Sequence, residues 1–195
     1  DSRFVPYVDI PLQHVSRPIL SKMRRGGDAA SYLAMIERMR EKVPSIAIRT
    51  TFIVGFPGEG EAEFRELCEF IRCAEFDNLG AFTYSPEPGS ASEPLGDPVP
   101  AVEKETRKAF LLSLQQPIAR KKNRALVGRE VEAIVEGPCE ETEHLLEGRV
   151  RSQAPEIDGR LLINDTAGRD VAPGEIVRVR VAEAHEYDLV GGLVS

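Results

Sequence analysis

The sequence predicts an α/β segment joined through a helix to a small antiparallel β-barrel. Strand-like apolar runs alternate with amphipathic helical runs as far as residue 85, the pattern of a parallel sheet with right-handed crossovers. Residues 126–195 break instead into short strands separated by Gly, Pro and Asp, the pattern of a barrel. Charge divides at the same place. From Ala125 onward there are seven Arg, no Lys and fifteen Asp or Glu, a net of −8, whereas residues 1–124 carry +1. The expected domains are 1–100, a connecting helix over 101–125, and the barrel over 126–195.

The first strand is expected over 4–13, FVPYVDIPLQ, with Phe4, Val8, Ile10 and Leu12 on one face and Tyr7, Asp9, Pro11 and Gln13 on the other. After a short turn region, Asp28 caps a helix to Lys42. Its apolar stripe is Tyr32, Met35, Ile36, Met39 and Val43, and Pro44 ends it. Residues 46–56, IAIRTTFIVGF, read as a buried parallel strand. A helix over 61–74 places Phe64, Leu67, Cys68 and Ile71 on one face, and NLGAFTYS at 78–85 is the third strand. Three strands are too few to stand alone, so the segment is expected to be half of a larger α/β barrel, cut from a longer protein. Five prolines between 84 and 100 exclude regular structure there. In the helix that follows, Pro117 costs roughly 3 kcal/mol unless the helix kinks or breaks.

Strand facing points to a ligand cavity. In 46–56, Ile46, Ile48, Thr50, Phe52 and Val54 share one face, and Ala47, Arg49, Thr51, Ile53 and Gly55 share the other. A packed barrel lumen would hold Val, Ile and Leu. Arg49, Thr51, Asp9 and Gln13 suit a polar ligand instead, although a simple Arg49–Asp9 pair accounts equally well for those two. The turn VGFPGEGEAEF lacks the Lys-Ser/Thr of a triphosphate loop, and Glu59, Glu61 and Glu63 at the start of its helix repel phosphate. Gly55 and Gly58 suit a tight left-handed turn or a backbone lying flat against a planar ligand.

Hydrophobic content of 42% supports a packed core. No apolar run approaches the ~20 residues that span a bilayer. Cys68, Cys73 and Cys139 form neither a disulfide nor a cluster-ligand pattern, and a reducing cytoplasm suits them. No metal is assigned to them or to the scattered histidines, of which His14 alone sits near the expected cavity mouth.

Three segments, DIPLQHVSRPILSKMRR, RTTFIVGFPGE and FTYSPEPGSAS, resemble in order and spacing the second half of the radical S-adenosylmethionine domain of methylthiotransferases. The barrel resembles their TRAM domain. DIPLQH, APEIDG (154–159) and HEYDLVG (185–191) resemble the branch that methylthiolates an aspartate β-carbon of small-subunit ribosomal protein twelve. The sister branch modifies a tRNA adenosine. A free-standing binding adaptor is the third reading.

The resemblance implies S-adenosylmethionine and two 4Fe–4S clusters as cofactors. One cluster cleaves S-adenosylmethionine to the radical that takes a substrate hydrogen, and the other takes part in sulfur delivery. It places Ile53 and Gly55 against the adenine, the Tyr84 backbone at the adenine edge, and Gln13 and His14 near the ribose or methionine part. Arg49 and Thr51 join this set from strand facing alone. The C-x3-C-x2-C of the family is absent from the chain, so by itself the chain is expected to be inactive. The acidic barrel should bind a basic ribosomal protein rather than RNA. Glu156, Asp158, Glu186 and Asp188 are the expected contacts, with Tyr187 as an anchor, in turns that leave their side chains exposed.

Overall fold

The computed structural model describes residues 4–140 and 142–194. Residues 1–3 and Ser195, at the ends of the expected first and last domains, and Glu141 lie outside that description. The strand–helix part runs β1 (Tyr7–Gln13), α1 (Arg17–Lys22), α2 (Ala29–Lys42), β2 (Ala47–Val54), α3 (Glu61–Ala74) and β3 (Asn78–Thr83). A short 3-10 turn at Glu93–Leu95 and α4 (Ala101–Arg124) follow. The barrel strands are β4 (Glu130–Cys139), β5 (Thr142–Val150), β6 (Leu161–Asp165), β7 (Ile176–Ala184) and β8 (Leu189–Leu193). Contacts divide the chain into one unit of Val8–Ile118 and another that joins the described residues up to Tyr7 to those from Ala119 onward.

The three-stranded sheet has the order β1-β2-β3, and β2 pairs in parallel with β3 from Arg49 opposite Asn78 to Val54 opposite Thr83. The alternation in β2 sets its two faces: Ile48, Thr50, Phe52 and Val54 are buried, while Arg49, Thr51 and Ile53 are half-buried. Thr50 is tolerated in that apolar layer because its hydroxyl donates to the Ile10 carbonyl at 2.8 Å. Phe52 meets Phe70 and Phe76 edge-on, with centroids 6.3 and 6.1 Å away. Asp28 caps α2 as expected: its carboxylate accepts from Ser31 N and its own N–H donates to Ser31 Oγ, both at 2.9 Å. Hydrogen bonds from the Ser31 backbone and then its side chain hold the Asp28 carboxyl below its ordinary pKa.

Three local expectations change. Pro6 has no N–H for a ladder, β1 starts only at Tyr7, and Phe4 is 77% exposed rather than on the apolar face. Val43, the last member of the expected stripe, is the C-cap of α2 and is exposed. The turn region before Asp28 contains α1, with Pro18 in its first turn, where a missing N–H costs nothing, and with Ile19 and Leu20 buried. Pro117 does not break α4, which continues to Arg124, although the division between the two units falls immediately after Ile118.

The barrel closes in the order β4-β5-β6-β8-β7. Its pairs are antiparallel except β6–β8, which are parallel because β7 intervenes in the chain. Val177, Val179 and Val181 of β7 point into a core with Val135, Leu161, Ile163 and Leu189. Arg178 and Arg180 stand outward between them, and Arg180 pairs with Glu130 of β4 at 2.6 Å.

Candidate functional site

A cleft of about 510 Å³ opens where β1, β2 and β3 end. Gln13 closes β1 in a left-handed conformation (φ 70°), Ile53 lies next to the end of β2, and Thr83 and Tyr84 close β3. Lys22, Met23 and Arg25 contribute a second side, and Ser85, Glu87, Ser90 and Ser92 a third. The floor is aromatic: Phe56 and Tyr84 meet edge-to-face with centroids 4.9 Å apart, beside buried Ile19. Backbone bonds hold the two cations, with Lys22 Nζ donating to Pro57 O and Arg25 Nη1 to Pro11 O, both at 3.2 Å. An aromatic and aliphatic floor with a polar, cationic rim suits a ligand that is flat at one end and charged at the other.

Of the residues expected at a cofactor, Gln13, Ile53 and Tyr84 line this cleft. The Tyr84 N–H is bonded to Val54 O at 2.8 Å, and its carbonyl accepts from Lys104 Nζ at 2.8 Å. A single lone pair of that carbonyl is left for a ligand. Arg49 and Thr51 are brought together elsewhere: Arg49 Nη1 donates to Asp9 Oδ2 at 3.0 Å and to Thr51 Oγ1 at 3.2 Å, and none of the three lines the cleft. Strand facing indicates a side of the sheet but not a position along it, and the ion pair is the reading the geometry supports.

His14 and Gly55 are also placed away from the cleft lining. His14 is fully buried; its Nδ1 accepts from Ser16 N at 2.9 Å and its Nε2 lies 3.4 Å from Glu59 Oε2. Gly55 is left-handed (φ 74°), and a Cβ there would lie 2.3 Å from Lys104 Cγ. The lysine stem of α4 therefore fills the space where a side chain at position 55 would stand. Glu59 is the hub beneath it. Its Oε2 accepts from Gly55 N at 2.9 Å, and its Oε1 accepts from Arg107 Nη1 at 2.7 Å. Arg107 also reaches Glu59 O at 3.0 Å and pairs with Glu103.

Burial pushes the Cys68 thiol up to about 11, so it stays protonated at neutral pH, and Cys139 is buried while Cys73 is exposed. Among the described residues, no three His, Cys, Asp or Glu side chains converge as a metal site would require.

In the barrel, the segments 154–159 and 185–191 come together. The Gly159 backbone packs so tightly on Tyr187 that a Cβ would lie 1.9 Å from its carbonyl oxygen. Asp188 Oδ1 accepts from Arg160 N at 2.9 Å, and Asp158 Oδ2 accepts from Tyr7 Oη at 2.7 Å and from Ala154 N at 2.8 Å. These two acids are half-buried and shape their own turns rather than standing free, contrary to expectation. Glu186 lies 3.4 Å from Arg120. Glu156 and Tyr187 are exposed, and the Tyr187 phenol is shifted upward by burial and then by Glu186.

Comparison with known proteins places both units. The Radical SAM superfamily profile matches residues 1–71, and the TRAM domain profile matches residues 127–194. Across both, the chain is 51% identical over 189 residues to "Ribosomal protein uS12 methylthiotransferase RimO" of Solibacter usitatus, covering 97% of this chain and 41% of that protein. Nearly the whole chain is thus similar to RimO methylthiotransferases. The RimO of Koribacter versatilis is 49% identical (96% of this chain, 38% of that one), and that of Sorangium cellulosum 48% (99% and 39%). The chain thus spans about two fifths of the length of these RimO relatives. The radical-SAM match takes in the cleft residues from Gln13 to Phe56, and the TRAM match covers the acidic barrel.

Proposed function

We propose that this chain is the C-terminal part of an enzyme that methylthiolates the β-carbon of an aspartate in ribosomal protein uS12, with S-adenosylmethionine seated in the cleft. The observation that carries this reading is the continuous similarity to RimO proteins through both the strand–helix unit and the barrel. S-adenosylmethionine, activated by a 4Fe–4S cluster held outside this chain, supplies the hydrogen-abstracting chemistry, and a second cluster takes part in sulfur delivery. The chain's own residues bind and orient. Ile53, Phe56 and Tyr84 offer an apolar wall to the adenine, Gln13 and the serines of 85–92 offer hydrogen bonds, and Lys22 and Arg25 bring positive charge for a carboxylate. By itself the chain lacks the C-x3-C-x2-C needed for the first cluster and so catalyses nothing alone.

The TRAM domain, with its net charge of −8, receives the basic uS12 and steers its approach. Exposed Glu156 and Tyr187 and half-buried Glu186 are the leading contacts, while Asp158 and Asp188 fix the turns that present them. Work on a ribosomal protein and three free thiols suit a cytoplasmic enzyme.

The test is mass spectrometry of uS12 and of tRNA from cells that lack the full-length enzyme and cells in which it is restored. A methylthio group that returns to one uS12 aspartate upholds the reading. Its return on a tRNA adenosine instead replaces uS12 with RNA as the substrate.

A further inference from the structure

We propose that Lys104, on the first turn of α4, is a positioning residue that clamps two walls of the cleft. Lys104 is 5% exposed although it carries a charge, and such burial requires the charge to be matched. It is matched on three sides. Its Nζ donates to the Tyr84 carbonyl at 2.8 Å and to Asp97 Oδ1 and Oδ2 at 2.5 and 2.6 Å, and it lies 5.7 Å from the Tyr84 ring centroid. Asp97 lies late in the proline-rich connection whose earlier residues, Ser85 to Ser92, form one side of the cleft. The same connection is fastened at its middle, where Tyr84 Oη donates to Ser92 O at 3.3 Å.

The lysine stem reaches the second wall. Its Cγ occupies the space over the left-handed Gly55, immediately before Phe56 of the floor, and Gly55 N is held from below by Glu59 Oε2. One side chain thus sets the end of β3, the return of the 84–100 segment and the backbone turn after β2. Lys104 does not line the cleft, so it acts through Tyr84, Phe56 and the 85–92 wall rather than by touching a ligand. The Lys104–Asp97 pair holds the wall against the floor and preorganises the cleft before a ligand arrives.

The inference rests on the cleft being the S-adenosylmethionine site, and the experiment separates the two. Equilibrium affinity for S-adenosylmethionine and for S-adenosylhomocysteine is measured in the full-length protein, well below the melting temperature of each variant. Lys104→Met keeps the stem over Gly55 and removes the ammonium; Asp97→Ala removes the loop anchor; Asp97→Asn restores an acceptor of the same shape. Ile53→Glu puts a charge on the cleft wall.

Ile53→Glu is expected to abolish binding. Lys104→Met and Asp97→Ala are each expected to weaken it about tenfold, and Asp97→Asn to recover most of the loss. A merely structural lysine would lower the melting temperature without moving affinity, and Asp97→Asn would then bring no recovery. Wild-type affinity in Lys104→Met, with Ile53→Glu inactive in binding, overturns the clamp and leaves the cleft reading standing. If Lys104→Met fails to fold, wild-type affinity in Asp97→Ala overturns it equally. Wild-type affinity in Ile53→Glu overturns the cleft reading and the clamp with it.

Discussion

Three charged side chains of the strand–helix unit, Glu59, Lys104 and Arg107, turn inward, whereas three ion pairs of the TRAM barrel stand on its outer face. Glu59, Lys104 and Arg107 are each no more than 5% exposed and bond one another's neighbourhood or the backbone. The barrel pairs Arg149–Glu136, Arg151–Glu132 and Arg180–Glu130 join side chains that are 31–64% exposed. A buried ion pair contributes little net stability but is costly to break, because the abandoned partner cannot be rehydrated. An exposed pair contributes almost nothing either way. The difference teaches that the buried charges of the first unit serve shape, while these barrel charges stay at the solvent-facing surface.

The sharpest way to break this comparison is to remove the hub. Glu59→Leu takes one of the two carboxylates that neutralise buried Arg107 and leaves the Gly55 N–H unmet, so urea unfolding of the full-length protein should show a loss of about 3–5 kcal/mol. A much smaller loss would mean that the interior network is hydrated. Next comes Gly55→Ala. It places a Cβ at φ 74° and against Lys104 Cγ, and the same measurement should show a loss of about 1–3 kcal/mol. Shortening Lys104 in the same chain should recover the part due to crowding but not the part due to backbone strain, which a double-mutant cycle separates.

The thiols sharpen the comparison through pH. The Cys68 pKa is raised from 9.0 to about 11 by burial, so the folded state prefers the neutral thiol. That preference stabilises the fold fully below the unfolded value near 9 and is lost as pH rises through about 11. Cys68→Ala should therefore flatten the stability profile between these values. At pH 8, a thiol reagent should modify exposed Cys73 quickly and buried Cys68 and Cys139 slowly. The smallest effect belongs to the barrel: Arg180→Ala and Glu130→Gln should leave the melting temperature unresolved from the parent.

The residues themselves show why some of this was legible in the sequence. β2, α3 and the Asp28-capped α2 were readable because periodicity and caps are local signals. The closed barrel and its acidity were equally plain, and its one parallel pair was not, since strand order is a long-range property. α4 conceals its inward face. Its buried positions are Lys104, Arg107, Leu111, Gln115 and Ala119, a helical spacing occupied mostly by polar side chains that a hydrophobic pattern cannot register. The same blindness hid the partner of Gly55 and the burial of His14. Asp158 and Asp188 looked like surface acids because a carboxylate that bonds backbone N–H groups has the same letter as one that faces water.

The division of labour is tested most directly by hydrogen exchange on the full-length protein, with S-adenosylmethionine and uS12 added separately. S-adenosylmethionine should slow exchange at 53–56 and 83–92 and leave the TRAM barrel unchanged. Basic uS12 should slow exchange at 154–160 and 185–189, with the effect weakening as salt is raised. Cofactor protection confined to the barrel, or tRNA protecting those barrel segments where uS12 does not, would contradict the account.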